Sequence, residues 1–583
     1  MNDVEDTGRR AAPGALDRRR FLAFFSALGL GATALPELLY AEAKKGKIGR
    51  ETLAAAEQLA GLHFTDPQRD LMLKGVEELQ GDYSRLRQVV LANDVAPAFH
   101  FDPRPRAAAP PLPPERAFRA SAGAGAGPVP EPPARLEDLA FSSVLELARL
   151  LQSRKVTAVE LTRMYVARLR RLDPQLHAVI TYTEERAMEA AERADREIAA
   201  GRYRGPLHGI PWGAKDLLAA RGAPTTWGSV PFKDQRIDDD ATVVARLEEA
   251  GAVLVAKLAV GELAWGDVWF GGTTKNPWKL DQGSSGSSAG SAAATAAGAV
   301  GFALGTETLG SIVSPSTRTG CTGLRPTFGR VSRHGAMALA WTMDKIGVLA
   351  RGVEDCAAVF QAIHGPDGKD ETAIDAPPFR WDPDLDPKRL RLGYAKALFA
   401  ERPEKADAQW EEQHALDSAT LEALRGRGFE LQPIELPALP FDALRFILTA
   451  EAAASFDELT RSGRDGLMVR QEENAWPNVF RQGRTVPAVE YIQANRVRTL
   501  LIRDMARRLA ELDAYVAPTF AGGNLLLTNL TGHPAVVLPN GFRKDGTPGS
   551  ITFTGKLFGE AELLAVAKAY QDATGFHRRH PKM

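Results

Sequence analysis

The chain has 583 residues, of which 25% are charged, and its formal net charge is -1 at pH 7. This length exceeds what one small hydrophobic core serves, and it predicts one large domain with appendages. The balanced charge excludes both a basic field for nucleic acid and the acidic excess typical of disorder. We therefore expect a small-molecule partner and no nucleic-acid partner.

The first 43 residues differ in kind from the rest. Three arginines at 18–20 precede an uncharged run over 23–36, and the A-x-A pattern at 41–43 follows. This arrangement resembles a twin-arginine export signal, which makes the twin-arginine translocation machinery a partner during export. We then expect a mature protein that begins near Lys44, in the periplasm or cell envelope. The uncharged run is shorter than the roughly 18 to 20 residues that span a bilayer, and an uncleaved anchor is the alternative interpretation.

Two further segments precede the main domain. Over 44–100 the apolar residues recur at helical spacing, and Thr65 with Asp66 and Pro67 predicts a helix start. This segment is interpreted as a small helical appendage packed on the main domain, with a docking surface as the alternative. Residues 101–135 are rich in proline, alanine and glycine, which predicts a linker that cannot bury enough apolar surface to order itself.

From residue 136 to 578 predicted helices and strands alternate. Capping boxes of the form S/T-x-x-E start helices after Ser143 and after Thr157. This alternation predicts an α/β fold with a large mixed, mostly parallel sheet covered by helices on both faces. The buried strands are expected within 178–182, 252–257, 391–394, 514–517, 535–538 and 551–553. Residues 374–513 are mainly helical and are predicted to cover the substrate.

No metal or organic cofactor is expected. Cys321 and Cys356 lie in apolar or glycine-rich surroundings without a metal-binding spacing, which favours two buried thiols over a disulfide. The ten histidines are scattered and form no zinc motif.

The most informative stretch is 283–315, where two glycine-rich turns place Ser287 and Ser311 24 positions apart. A serine hydroxyl needs a base within reach to act as a nucleophile, and the oxyanion that develops needs preorganised donors. The tight turn before Ser311 can aim several main-chain N–H groups, from Thr308 through Leu309 and Gly310 to Ser311, at a single oxygen. The base would be Lys215, because burial in an apolar run lowers the pKa of an amine and favours its neutral form.

These segments resemble the amidase signature family. Residues 285–294 read SGSSAGSAAA and are similar to the family's GGSSGGSAAA, while residues 305–312 read GTETLGSI and are similar to GTDTGGSI. The resemblance extends in order over about residues 136–576, including GPLHGIPWGAKD and NLTGHPAVVLP. It implies the amidase signature fold and a catalytic set of Lys215, Ser287 and Ser311.

In that set Ser311 is the nucleophile, Ser287 relays its proton to Lys215, and the peptide bond between Gly286 and Ser287 is cis. Thr308, Leu309 and Gly310 form the oxyanion and substrate-binding turn, with Ser288 and Gly286 in support. Leu309 has a side chain where the family often has none, so we expect a differently shaped turn.

The implied function is hydrolysis of a carboxamide C–N bond, on a small or peptide-like amide, through a Ser311 acyl-enzyme. One alternative is the glutaminase-type subunit of a tRNA-dependent amidotransferase, which shares these motifs. Another is an α/β-hydrolase esterase, because residues 286–290 satisfy G-x-S-x-G with Ser288 as nucleophile and His533 as its base. A non-catalytic binding protein with the same fold is a further alternative. The sequence sets neither the substrate, nor the leaving amine, nor the oligomeric state.

Overall fold

The computed structural model describes residues 48–91, 95, 97–99, 118–121, 129 and 131–583. The predicted export signal at 1–43 and most of the predicted linker at 101–135 lie outside these residues. Within the described ranges, no helix combines the length and the hydropathy that a membrane crossing requires.

The core of the molecule is one large sheet flanked by helices. Eleven strands form this sheet in the order β1-β3-β2-β8-β10-β9-β14-β15-β13-β11-β12, and β4-β5 and β6-β7 form two small ribbons. In chain order the strands are β1 (Val179–Tyr182), β2 (Pro211–Lys215), β3 (Val253–Leu258), β4 (Val268–Trp269), β5 (Gly272–Thr273), β6 (Lys275–Asn276), β7 (Lys279–Gly283), β8 (Phe302–Glu307), β9 (Thr322–Arg325), β10 (Lys345–Ala350), β11 (Leu392–Ala395), β12 (Leu431–Ile434), β13 (Ala514–Pro518), β14 (Ala535–Phe542) and β15 (Pro548–Gly555).

Helices surround the sheet and form the N-terminal part of the described chain. In chain order they are α1 (Arg50–Ala60), α2 (Asp66–Leu86), α3 (Val144–Gln152), α4 (Ala158–Leu176), α5 (Glu184–Ala199), α6 (Thr242–Glu249), α7 (Ala289–Ala296), α8 (Val313–Thr319), α9 (Val353–Ile363), α10 (Lys396–Ala400), α11 (Ala408–Gly426), α12 (Phe446–Ser455), α13 (Asp457–Arg461), α14 (Trp476–Gly483), α15 (Ala488–Arg508), α16 (Asn524–Leu530) and α17 (Glu560–Thr574).

The large mixed sheet confirms the predicted fold class, but parallel pairs are a minority. Four of the ten neighbouring pairs among its described strands are parallel: β2 with β3 and β8, and β11 with β12 and β13. The remaining six are antiparallel. The predicted predominance of parallel pairs was wrong, because the five successive pairs from β8 to β13 in the sheet are all antiparallel. Only the short turn at 543–547 joins β14 to β15, and a parallel pair would need a long crossover.

Several local predictions are confirmed. Each of the six predicted segments contains a strand, and the structure adds β2, β8, β9, β10 and β12 to the main sheet. Both capping boxes form: Ser143 Oγ accepts the N–H of Glu146 at 3.1 Å, and Thr157 Oγ1 accepts the N–H of Glu160 at 3.1 Å. The two cysteine thiols are buried and free. All residues of β2, β3 and β10 are buried, which is expected of strands covered on both faces.

The N-terminal helices pack on the region that was predicted to cover the substrate. Tyr83 of α2 meets Phe446 of α12 edge to face, with ring centroids 5.2 Å apart. Asn478 of α14 donates to the main-chain oxygen of Leu71 at 2.8 Å. The 374–513 region itself contributes β11 and β12 to the sheet besides its helices. Its role as a substrate cover stays a prediction.

Candidate active site

Lys215 ends β2 inside the core. Because β2 and β8 are parallel neighbours, their carboxyl ends lie side by side and bring Lys215 next to Thr306. The Lys215 side chain has no exposed surface. Its Nζ lies 2.8 Å from Ser287 Oγ, 2.8 Å from Thr306 Oγ1 and 3.3 Å from the main-chain oxygen of Thr306. The structure therefore joins two of the three predicted catalytic side chains.

The surroundings of Lys215 favour a neutral amine. Burial lowers the pKa of Lys215 well below its ordinary value, and the carboxylates of Asp344 and Glu307 oppose this shift only in part. A neutral amine has two N–H bonds and one lone pair. Thr306 provides two oxygens for the N–H groups, so the lone pair can face the hydroxyl of Ser287. This geometry suits a base that takes a proton from Ser287.

Ser287 belongs to a tightly enclosed turn. The peptide bond between Gly286 and Ser287 is cis, as the family resemblance implied. A Cβ atom on Gly286 would lie 1.8 Å from the main-chain oxygen of Gly266, so no side chain fits there. The oxygen of Ser287 accepts the N–H of Gly261 at 3.2 Å. These contacts hold the hydroxyl of Ser287 toward Lys215.

Ser311 lies beside this turn. The N–H of Ser288 donates to the main-chain oxygen of Ser311 at 3.1 Å, which joins the two serine turns directly. Within the described residues, Ser311 Oγ makes no hydrogen bond, and none joins it to Ser287 Oγ. Catalytic hydrogen bonds are often long in enzymes without substrate and shorten when substrate binds. The nucleophilic role of Ser311 stays a prediction.

The main-chain amides around Ser311 suit an oxyanion. The N–H groups of Leu309, Gly310 and Ser311 have no acceptor in the described part of the chain. Gly310 has φ of +85°, a left-handed conformation that glycine adopts without strain. Thr308 Oγ1 donates to Asp344 at 2.5 Å, which fixes the start of the turn. Donors held in place before the reaction are what a developing negative charge requires.

At Leu309 the sequence of this turn differs from the family motif, which often has no side chain there. Its side chain packs against the hydrophobic cluster that includes Leu526, Leu527 and Leu530. The extra side chain is thus accommodated by the neighbouring core.

Sequence reasoning missed Glu307, which lies four residues before Ser311. Its Oε2 accepts the main-chain N–H groups of Ile312 at 2.8 Å and Val313 at 2.9 Å, while its Oε1 accepts from Arg325 at 2.7 Å. Burial alone would raise the pKa of Glu307, but the Arg325 guanidinium and the hydrogen bonds to the carboxylate lower it to about 2. An acidic residue so close to the predicted nucleophile was the signal that could have identified it.

Comparison with known proteins identifies the family. A sequence model of the family described as Amidase matches residues 160–526. The chain belongs to the amidase signature family. This confirms the predicted enzyme class, because amidases and their relatives act on amide bonds.

The amidase resembles both amidotransferase components and free-standing enzymes. It is 35% identical to the A subunit of the glutamyl-tRNA(Gln) amidotransferase from Geobacter metallireducens, over 75% of this chain and 98% of that protein. It is 36% identical to the corresponding protein of Roseiflexus sp. strain RS-1, over 74% and 96%. The solved structure of peptide amidase from Stenotrophomonas maltophilia matches with a TM-score of 0.67 and 30% identity, over 76% of this amidase and 99% of that chain.

Ser288 is not placed as the nucleophile of an α/β-hydrolase. Its Oγ is bound to the main chain of Thr306, 3.2 Å from the oxygen and 3.2 Å from the nitrogen. His533 contacts Thr531 Oγ1 at 2.8 Å, and burial lowers its pKa to about 4. The strand that ends just before this segment, β7, belongs to a small ribbon outside the main sheet. Ser288 instead supports β8 beside the relay.

Proposed function

We propose that this amidase hydrolyses a carboxamide through an acyl-enzyme on Ser311, with Ser287 and Lys215 as the proton relay. Ser311 Oγ bonds to the carbonyl carbon while its proton passes to Ser287 Oγ and the proton of Ser287 passes to Lys215 Nζ. The free amides of the 309–311 turn stabilise the oxyanion. The relay then protonates the departing nitrogen as the C–N bond breaks. Water, activated by the same relay, releases the carboxylic acid.

The observation that carries this proposal is the 2.8 Å contact between Lys215 Nζ and Ser287 Oγ, in a site without solvent exposure. A buried lysine without an adjacent acidic partner is costly unless it is neutral, and a neutral amine is a competent base. Lys257, by comparison, is equally buried but lies 2.6 Å from Asp216 and forms an ion pair. Only the amine of Lys215 meets a serine hydroxyl in this part of the described core.

The test combines active-site labelling with turnover. The purified enzyme is treated with a fluorophosphonate and assayed on primary amides, anilides, peptide amides and esters. We expect a label on Ser311, no label in Ser311→Ala, and a loss of acylation by orders of magnitude in Lys215→Ala. Ser291→Ala is the matched control, because this buried serine bonds to the oxygen of Leu304 outside the relay. Wild-type turnover in Lys215→Ala would remove the proposed base.

A second candidate function is that of an amidotransferase component, which the curated relatives at 35% and 36% identity favour. Both functions begin with the same cleavage of an amide, and they differ in whether the released ammonia is passed to an acceptor. The chain is therefore expressed with a pull-down tag and assayed for glutamine hydrolysis. A stable complex with further subunits, together with glutaminase activity coupled to charged tRNA, would make this second function the correct one.

We also propose that residues 1–43 direct export by the twin-arginine machinery, which separates the enzyme from cytoplasmic tRNA. The support is the arginine pattern at 18–20 followed by an uncharged run. Cell fractionation and mass spectrometry of the mature N-terminus test this directly. We expect a start near Lys44, and retention in the cytoplasm when Arg18→Lys and Arg19→Lys are combined. An unprocessed, cytoplasmic wild-type chain would contradict export.

A further inference from the structure

A cavity of about 290 Å³ opens beside the candidate active site. Thr306, which contacts Lys215, and Thr308, which begins the oxyanion turn, both line it. Its apolar wall includes Leu217, Met337, Leu339, Ile346 and Trp341, and charged or polar residues at 333–334, 344–345 and 369–372 line the rest. The cavity therefore adjoins residues that contact Lys215 and begin the oxyanion turn, which places it close to a group attached to the reacting amide.

Trp341 is held in place although its side chain is exposed. The residue is 44% exposed, which is unusual for a tryptophan next to a buried core. Its neighbour Thr342 donates twice to Glu451, at 3.0 Å from the nitrogen and at 2.6 Å from Oγ1. Arg498 donates to the main-chain oxygen of Thr342 at 2.8 Å, and Asp344 accepts the N–H of Ala340 at 3.0 Å. The loop is thus clamped on both sides of Trp341, and the indole is presented to the cavity by a fixed backbone.

Three charged side chains that line the cavity, Asp344, Lys345 and Arg333, already have partners. Asp344 accepts from Thr308 and from main-chain amides, and Lys345 donates to Asn529 at 2.7 Å. Arg333 lies 3.5 Å from the carboxylate of Asp370. Lys369 and Glu371 also line the cavity, with exposed side chains, while its apolar residues offer hydrocarbon and indole surface to a substituent.

We propose that this cavity binds an aromatic substituent of the carboxamide substrate and that Trp341 is a specificity-determining residue. The inference rests on the proposed amidase function and names its substrate class. A dry apolar cavity of roughly 150 Å³ holds benzene, so the present volume accommodates a substituted ring. An indole at the mouth adds an edge-to-face or offset-stacked contact to the burial of the ring. Aromatic amides are then preferred over aliphatic amides of similar reactivity.

The experiment compares phenylacetamide with isobutyramide. We expect kcat/KM to be at least about tenfold larger for phenylacetamide, since differences of one apolar group in a pocket give roughly 10 to 200-fold. In Trp341→Ala and in Ala338→Phe, which would fill the cavity, this ratio should fall about tenfold. Trp410→Ala is the matched control, because that tryptophan stacks on His414 away from the cavity. Its ratio should equal that of the wild type.

A binding measurement separates this inference from the proposed chemistry. Ser311→Ala cannot form the acyl-enzyme, and phenylacetamide should raise its Tm more than isobutyramide does. The combined variant Ser311→Ala with Trp341→Ala should lose that difference. If no amide is hydrolysed but this binding pattern holds, the proposed function fails while the aromatic site stands. Equal kcat/KM and equal Tm shifts for the two amides, in enzyme that labels on Ser311, would overturn the aromatic site alone.

Discussion

Glu307 Oε2 accepts the main-chain N–H of Ile312 at 2.8 Å, so a buried carboxylate holds the residue that follows the proposed nucleophile. The same carboxylate is held by Arg325 and by Asn529, the latter at 2.8 Å. These bonds orient the Ser311 turn from its buried side, where the Glu307 side chain does not contact the substrate. Glu307 is therefore a positioning residue.

Glu307→Gln should lower kcat by about a hundredfold. The glutamine NH2 group would face N–H donors that now bind the carboxylate, and this repulsion would shift the Ser311 turn by a fraction of an ångström. KM should change much less. Breaking a buried ion pair typically removes about 3 to 5 kcal/mol of stability, so folding is checked by circular dichroism. Asn529→Ser, a milder change at the same carboxylate, should show a smaller loss of kcat in the same direction. Full acylation rates in both folded variants would refute this role.

Thr306→Val should reduce kcat/KM about tenfold. The substitution keeps the shape of the side chain but removes the oxygen that lies 2.8 Å from Lys215 Nζ, and a hydrogen bond contributes roughly 1 to 1.5 kcal/mol. Thr306→Ser restores the hydroxyl and should restore the rate. Profiles of kcat/KM against pH for the three enzymes provide the measurement. A loss that persists in Thr306→Ser would point to packing and not to the hydroxyl.

Lys215→Met should change how stability depends on pH. In the folded enzyme the lowered pKa keeps Lys215 neutral, whereas in the unfolded chain it binds a proton up to about pH 10.4. Unfolding therefore takes up a proton, and this lysine weakens the wild type by about 1.4 kcal/mol for each unit that the pH falls below about 10.4, down to its folded pKa. The variant lacks this dependence. The free energy of unfolding is measured with urea at about pH 7, 8 and 9, and its difference between variant and wild type should shift in favour of the variant as the pH falls. A difference that does not change with pH would mean that Lys215 is charged in the folded enzyme.

The same lowered pKa gives activity a direction with pH. The neutral amine is the base, so kcat/KM should fall as the pH decreases through the folded pKa of Lys215 and should be retained above it. The residual rate of Lys215→Ala should lack this limb. The measurement is a pH–rate profile with a neutral amide whose own ionisation does not intervene. An identical acidic limb in the variant would assign it to another group.

Ser288→Ala should retain covalent labelling at Ser311. The Ser288 hydroxyl contacts only the main chain of Thr306, so its removal disturbs support and not proton transfer. Intact-protein mass spectrometry after fluorophosphonate treatment compares Ser288→Ala, Ser311→Ala and the wild type. Labelling that survives in Ser311→Ala and vanishes in Ser288→Ala would revive the α/β-hydrolase alternative.

The catalytic segments were accessible to sequence analysis because their chemistry is local. Glycines around Ser287 and Ser311 and the apolar run around Lys215 each carry their own signal within a few residues. Six strands were likewise visible as short apolar runs between polar turns. By contrast, β2 contains Pro211 and Gly213 and was not among the predicted strands, because its strand character depends on pairing with β3 and β8.

Other features depend on residues far apart in the chain. A buried strand is an apolar run whether its neighbour is parallel or antiparallel, so the antiparallel centre of the sheet was not predictable from periodicity. Asn529 and Glu307 are 222 residues apart in the sequence, and no local pattern predicts their contact. The clamp of Glu451 and Arg498 on Thr342 likewise requires the fold. Tertiary contacts of this kind explain why sequence analysis missed the supporting residues although it identified the predicted catalytic ones.

The close contact between Gly266 and Gly286 closes the segment between them into a loop. Its two ends meet, and Ser285 donates to the carboxylate of Asp267 at 2.8 Å just inside the closure. The two small ribbons thus leave and rejoin the domain at one point of the backbone, and Trp278 within them anchors them further by donating to the main-chain oxygen of Thr319 at 2.7 Å. A mutant library should therefore leave Gly286 untouched, because any side chain there would collide with the backbone that closes this segment.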